Sequence, residues 1–553
     1  MAQPLQQQQE LDPLPSLAPN SLTDSYAVWE AELPSSDRDR DFILHGVQCG
    51  FDITDSEVPA DFNTHCANYK STSVNFAKVE AQILSELSTG NYQLCSQKPQ
   101  IVSSLGAIPK SNGSIRLIHD LSRPVGGVNA YAQNCSCHYS TIDDATSLIP
   151  PGGWLAKVDL KAAYRSVPIS PASYSLTGLS WKFSKLAETS YIRDLKLPFG
   201  SGLACRIFQC LSDAVAGMMR RRGLSVISYL DDFLVVGDSF HSCWYAFDTL
   251  CTLLQSLGFN INWDKVIPPC QSLPFLGVHL NTITRRMSLP FDKLQELRAL
   301  IKRWIKKKSF TKRELQQIIG KLNWAAKVVK GGRVFLRRLI DQMTMLRRPH
   351  HHTRLSSAAR ADLEWWNYGL TIFHGHASFT CDALPPTGNF TTDACLVGGG
   401  AYYAGDWFYC HWQTDCPSMA DAHINCLETQ TILMAAYRWA HLWSGCHLRV
   451  SCDNTTSVAA INKGTSKSPV IMACLRQLFW LSVKFDFKIT AHYLPGSKNH
   501  LADTISRLHE LYHASLFFTS ICDADMFVNT FGHMSQSTFL CLQSQLSLQT
   551  LKP

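Results

Sequence analysis

No run of about eighteen apolar residues occurs in the 553-residue chain, so nothing in it reads as a membrane-spanning helix. Its twenty cysteines include no C-x-x-C pair, which excludes the usual zinc-ribbon and redox motifs and leaves scattered thiols expected to stay reduced in the cytosol or nucleus. Cys135, Cys137 and His138 come nearest to a metal cluster, but a fourth ligand is missing and chance proximity is the favoured reading. The N-terminus has neither the basic start nor the apolar core of a secretory signal. Its Gln and Pro bias predicts a disordered tail over residues 1–40. No D-[ST]-G triplet of an aspartic protease appears, and no segment reads as an integrase or recombinase. Acidic residues are scarce in one place. Residues 298–360 hold 18 Lys or Arg against 2 Asp or Glu, whereas the remainder holds 33 against 42.

The overall charge of +7 is therefore a strongly basic segment set in an acidic body. Within that segment Leu297, Leu300, Ile301 and Trp304, then Leu315, Ile318, Ile319 and Leu322, recur at helical spacing. The pattern predicts amphipathic helices with basic outer faces. Such faces suit a polyanion such as nucleic acid, the alternative being simple solvation.

The stretch Val226–Val236, VISYLDDFLVV, reads as two short strands meeting at Asp231 and Asp232. Two adjacent carboxylates repel, by on the order of 4 kcal/mol at about 4 Å and an effective dielectric near 20. In apolar flanks they call for a cation with oxygen ligands, Mg²⁺ first and Mn²⁺ as the alternative. An Asp-Asp dipeptide alone is ordinary turn chemistry; the apolar residues on both sides argue against a solvated turn. Asp159 ends a second apolar strand in WLAKVDLKAAYRSVPI, where it is either a cap or a third carboxylate. Upstream, SSLGAIPKSNGSIRLIHDLS predicts two strands around a turn at Ser111–Ser114, with Lys110 and Arg116 on or beside it. Downstream of Thr380 the strands are broken by a Gly turn. Asp393 ends the first, Glu428 sits on an amphipathic helix over 421–442, Asp453 ends HLRVSC, and Asp503 follows a Pro-Gly loop.

The Tyr229-Leu230-Asp231-Asp232 block resembles the catalytic hairpin of reverse transcriptases, and further blocks follow the same family's order from residue 101 to residue 280. The resemblance implies that Asp159, Asp231 and Asp232 hold two metal ions, and that Lys110 and Arg116 lie on a fingers hairpin gripping the triphosphate. It also implies that Tyr164 excludes a ribose 2′-hydroxyl, that Phe199 and Gly200 touch template and nucleotide, and that Lys265 stands near the leaving pyrophosphate. Phe199 replaces the Gln of retroviral enzymes, and Cys205 stands where Pro is common. Residues 272–280, SLPFLGVHL, are similar to a primer-grip hairpin. The string from Glu314, ELQQIIGKLNWAAKVVKGGRVFLRRL, is similar to the linker of retrotransposon polyproteins, particularly tyrosine-recombinase elements of the DIRS type. Asp393, Glu428, Asp453 and Asp503 stand in ribonuclease H order, which implies a second two-metal site, with either His492 or His500 assisting.

The expected fold is α+β: a right-hand polymerase of fingers, palm and thumb, then an α/β ribonuclease H-like domain. Expected boundaries are a tail over 1–40, a helical extension over 41–95, fingers and palm over 96–290, a basic thumb and connection over 291–378, the ribonuclease H-like domain over 379–510 and a C-terminal tail over 511–553. The implied activity is RNA-directed DNA synthesis with RNA removal, using two Mg²⁺ per site. The implied partners are an RNA template, a DNA primer, RNA–DNA heteroduplex, deoxynucleoside triphosphates, and a recombinase or capsid-like protein of the same element; no membrane is expected, and the location is cytoplasmic or nuclear. The competing expectations are a domesticated or decayed element product that binds nucleic acid without polymerising, and a nuclease carrying a polymerase relic.

Overall fold

The computed structural model describes residues 21–510, apart from 111–112, 133–136, 330, 373–374 and 380–386. The expected C-terminal tail, Cys135, Thr380 and part of the Ser111–Ser114 turn lie outside the described residues. Two compact units divide the chain, Met1–Arg285 and Arg286–Pro553.

In the first unit an antiparallel sheet runs in the order Ile267–Cys270, Trp154–Asp159, Asp232–Gly237, Ser225–Tyr229. Val226, Phe233 and Val235 on its strands are buried in one core with Ile207, Phe208, Leu211 and Val215 of the helix Ala204–Arg221 and with Leu250 and Leu254 of the helix Phe240–Ser256. The strands are buried as continuous apolar runs, one face packing against these helices, and the acids stand where the runs end. A second, mixed sheet runs in the order Thr64–His65, Ile101–Val102, Gly178–Trp181, Ser190–Asp194, Tyr92–Cys95, and a separate hairpin pairs Ser104–Pro109 with Ile115–Asp120.

Two expectations for the N-terminal part are corrected here. Residues 21–40 are not all tail: Tyr26–Glu32 is helical, Trp29 is fully buried, and its indole N–H donates to Leu257 O at 3.0 Å. A buried tryptophan ties down a segment that its composition describes as disordered. Nor is 41–95 a separate helical extension. It contributes strands Thr64–His65 and Tyr92–Cys95 to the mixed sheet, and Phe51, Ile53, Val79 and Ile83 to the buried cores.

The second unit begins with the short strand Arg286–Ser288, paired with His376–Ser378, and the helices Phe291–Lys306, Lys312–Ala325, Arg337–Thr344 and Ser357–Ile372. Leu297, Ile301, Trp304, Leu315, Ile318 and Leu322 are buried while Lys302, Arg303, Lys306 and Lys308 are exposed, the basic outer face the spacing predicts. A five-stranded sheet follows in the order Asp406–His411, Gly398–Tyr403, Gly388–Ala394, His447–Cys452, Lys488–Tyr493; its first three strands are antiparallel and its last two are added in parallel. The helix Ile424–Trp439 is buried along most of its length rather than on one face. Phe335 stacks on Trp365 at 4.0 Å and meets Phe479 edge-on. Asp362, 1% exposed, receives Arg338 at 3.1 Å and Arg476 at 3.3 Å. These contacts tie the helices to Pro469–Phe485 within one unit. Among the described residues no helix is long and apolar enough to cross a membrane, and every cysteine is free.

Candidate functional site

Tyr229 pairs with Asp232, so Leu230 and Asp231 form a two-residue hairpin turn. Leu230 lies in the left-handed region at φ 50°, which costs a residue with a Cβ roughly 1–2 kcal/mol. The helix Ala204–Arg221 holds it there. Leu230 N–H donates to Gln209 Oε1 at 2.8 Å, and Ser212 Oγ donates to Leu230 O at 2.7 Å. Asp213 Oδ1 in turn accepts from Gln209 Nε2 and Ser228 Oγ, each at 2.8 Å. Gln209 and Ser212 are both 1% exposed. A buried polar stripe on an otherwise apolar helix is the signal by which sequence reasoning could have found these residues. Gln209→Leu should destabilise the first unit by roughly 1–3 kcal/mol, because Leu230 N–H loses its acceptor; chemical denaturation measures the cost.

Asp159 lies directly across the sheet from Asp232, and Leu160 N–H donates to Asp231 O at 3.0 Å. The three acids expected to act together thus stand at neighbouring strand ends. Asp159, 5% exposed, accepts from Asn262 Nδ2 at 3.0 Å and from Lys265 Nζ at 3.1 and 3.2 Å. Lys157 Nζ reaches Asp232 Oδ1 at 2.9 Å. Burial raises the Asp231 carboxyl above its ordinary range, and Asp159 adds repulsion. Asp232 is raised in the same way by burial, with Lys157 working against it. All the anionic donors are carboxylate oxygens, which suits a hard divalent cation.

Beside these acids the expected nucleotide residues form a stack. Arg116 lies over the Phe199 ring at 5.5 Å, Phe199 meets Tyr164 at 4.9 Å, and the Tyr164 hydroxyl shares a hydrogen bond with Cys205 Sγ at 3.2 Å. Gly200 is required at φ 134°, since a Cβ there would stand 1.9 Å from His119 O. That close approach brings Phe199 O onto His119 N–H at 2.8 Å. Lys110 does not join the stack through any contact described; it is exposed at the end of its hairpin. Lys265 is paired with Asp159 at 3.1 Å.

The second unit gathers Asp393, Glu428 and Asp453 so that one oxygen of each lies within 4.8 Å of the others, the only such trio of possible metal ligands among the described residues. Burial and the two neighbouring acids push Glu428 up to about 9, and burial pushes Asp393 up to about 7 against a hydrogen bond from Ser506 Oγ at 2.6 Å. Glu428 Oε2 is buried with no hydrogen-bond partner, an orphaned acceptor that a cation would satisfy. Asp503 stands outside the trio and accepts from Arg507 Nε at 2.9 Å. Ser506 and Asn499, whose Nδ2 donates to Thr392 O at 2.9 Å, brace the trio's first strand. The Pro-Gly loop comes close too: a Cβ on Gly496 would stand 3.0 Å from Asp453 Oδ2. His492 and His500 are both exposed, and neither is distinguished from the other.

Residues 108–280 match the family model described as reverse transcriptase (RNA-dependent DNA polymerase). The chain is 29% identical over 256 residues to "Protein P" of heron hepatitis B virus and 28% identical over 233 residues to that of duck hepatitis B virus (strain China). These matches take in 46% and 41% of this chain, but only 30% and 28% of the viral proteins. A foamy viral protease-reverse transcriptase solved in complex with dsDNA is similar in fold, with a TM-score of 0.50 at 14% identity over 88% of this chain and 99% of the other. The fold is therefore that of a reverse transcriptase followed by an α/β ribonuclease H-like domain.

Proposed function

We propose that this chain is an RNA-directed DNA polymerase that also removes the RNA strand of an RNA–DNA heteroduplex. The observation that carries the reading is the presence of two separate groups of buried or half-buried carboxylates, Asp159, Asp231 and Asp232 at strand ends of one sheet, and Asp393 and Asp453 on strands of another beside Glu428 of a helix. A nucleic-acid binder that had abandoned chemistry would gain nothing from keeping buried acids whose mutual repulsion destabilises the fold.

In the polymerase reading Asp159, Asp231 and Asp232 hold two Mg²⁺, or Mn²⁺, beside the primer end. The bound ions supply charge neutralisation for the attacking hydroxyl and the leaving phosphates. Around them Arg116 offers a guanidinium to the triphosphate, and Phe199 with Tyr164 presents a flat apolar wall to base and sugar. Gly200 lets that wall lie close to the hairpin, and Lys110 and Lys265 add positive charge at the edges. In the nuclease reading Asp393, Glu428 and Asp453 are the ligand set, with Asp503 completing it. The partners are accordingly an RNA template, a DNA primer, heteroduplex and deoxynucleoside triphosphates, met by the basic helices of the second unit. Binding through such a surface weakens steeply with salt.

Descent from a tyrosine-recombinase element, with a recombinase or capsid-like partner, rests on the Glu314–Leu339 string, and a cytoplasmic or nuclear site of action rests on the scattered free thiols. The test is one preparation assayed twice with Mg²⁺: extension of a DNA primer on an RNA template with deoxynucleotides, and cleavage of labelled RNA in a heteroduplex. Both activities are expected. Cleavage without extension would instead indicate a nuclease with a polymerase relic.

A further inference from the structure

Lys157 precedes Asp159 by two residues on one strand, so both side chains leave the same face of the sheet. Its backbone pairs with Leu234, and its ammonium lies 2.9 Å from Asp232 Oδ1. The contact is enclosed: the two side chains are 16% and 24% exposed, whereas the Lys265 side chain that meets Asp159 is 61% exposed. The neighbours Leu155, Ala156 and Val158 are fully buried and apolar. A lysine sunk in such a strand is costly unless it is paired, and its partner here is one of the acids assigned to metal.

We propose that Lys157 is a positioning residue of the palm, a tethered cation that fixes Asp232 and weakens divalent-cation binding until a nucleotide's phosphates enter. The inference rests on the polymerase reading of this site. The two lysines cut the formal charge of the three carboxylates from −3 to −1, so an incoming divalent ion meets a much weaker field than the acids alone would offer. It must also displace the Lys157 ammonium from the Asp232 oxygen. A triphosphate restores negative charge and gives the ammonium another anion to pair with. Metal loading is thereby coupled to nucleotide loading.

The test is Mn²⁺ titration of the full-length protein without nucleotide, read by the electron paramagnetic resonance of the free ion. A Glu428→Gln background weakens the second cluster's share. Lys157→Met should bind Mn²⁺ roughly tenfold more tightly than the parent, since one repelling charge close to the ion is gone. Lys157→Arg, which keeps the charge, should bind as the parent does. A merely structural lysine would lower thermal stability in the Met variant without moving metal affinity, and that result overturns the proposal. So does an equal gain in the Arg variant. If the Met variant fails to fold, Lys157→Gln removes the charge while keeping a hydrogen-bond donor toward Asp232, and the same gain is expected. A parent that binds Mn²⁺ but extends no primer would refute the polymerase reading separately, while the titration still decides the role of Lys157.

Discussion

Primer extension should fall by on the order of a thousandfold when Asp231 is replaced by Asn, the several kcal/mol that a metal-held charge contributes to phosphoryl transfer. Cleavage of heteroduplex RNA should survive in the same protein, because the second cluster stands on a different sheet. The substitution keeps the side chain's shape. The hydrogen bond from Leu160 N–H goes to the backbone carbonyl of residue 231 and does not depend on the carboxylate. Asp231 is also raised by burial and by repulsion from Asp159, so removing its charge relieves the metal-free fold rather than harming it. The thermal midpoint in chelator should therefore stay level or rise. Extension within tenfold of the parent would remove Asp231 from the mechanism.

Glu428→Gln should have the mirror effect, abolishing RNA cleavage while leaving extension in place. Its effect on stability is the more informative one. In the metal-free protein Glu428 stands at about 9 against an ordinary 4.5, so its unfolded form releases a proton at lower pH than its folded form. Stability is fully present below that ordinary value and is lost as pH rises through about 9. Asp393, at about 7, adds to the loss over the lower part of the range. Thermal unfolding in chelator should thus show the second unit weakening steadily from acid to alkaline pH. Glu428→Gln should flatten much of that slope, and Mg²⁺ should restore the parent's stability at the alkaline end. A slope unchanged by the substitution would mean that Glu428 is ionised and paired in solution.

What the sequence made legible was chiefly what depends on strand periodicity. VISYLDDFLVV and WLAKVD carry their acids where an apolar strand run stops, Asp453 directly follows HLRVSC, and the structure puts the strands where those runs predict. The basic helices were legible from the helical spacing of their apolar residues. Less legible was whatever depends on contacts between distant segments. The support of Leu230 by Gln209 and Ser212 spans about twenty residues and crosses from helix to turn. Lys157 looks like any strand lysine until the register places it against Asp232. Gly398, Gly399 and Gly400 look like turn residues, yet they lie in a strand. Side chains there would strike Ser506 backbone, Trp412 and Ile505, so the glycines let helices pack close to the sheet, while the turn itself falls at Ala404 and Gly405. Residues 21–40 read as tail because their polar residues outnumber the few apolar ones, Leu22, Trp29 and Leu33, that are buried.

The Asp362 junction bears on how the protein can be taken apart. Composition changes near residue 379, and a fragment begun there would seem a natural way to isolate the ribonuclease H-like part. Such a fragment would carry Phe479 without the Phe335 and Trp365 rings that cover it, and Arg476 without its carboxylate. It would meet solvent with a bare aromatic face and be prone to self-association. Started upstream of Gly331, whose missing side chain makes room for Phe479, the piece would bring its own cover.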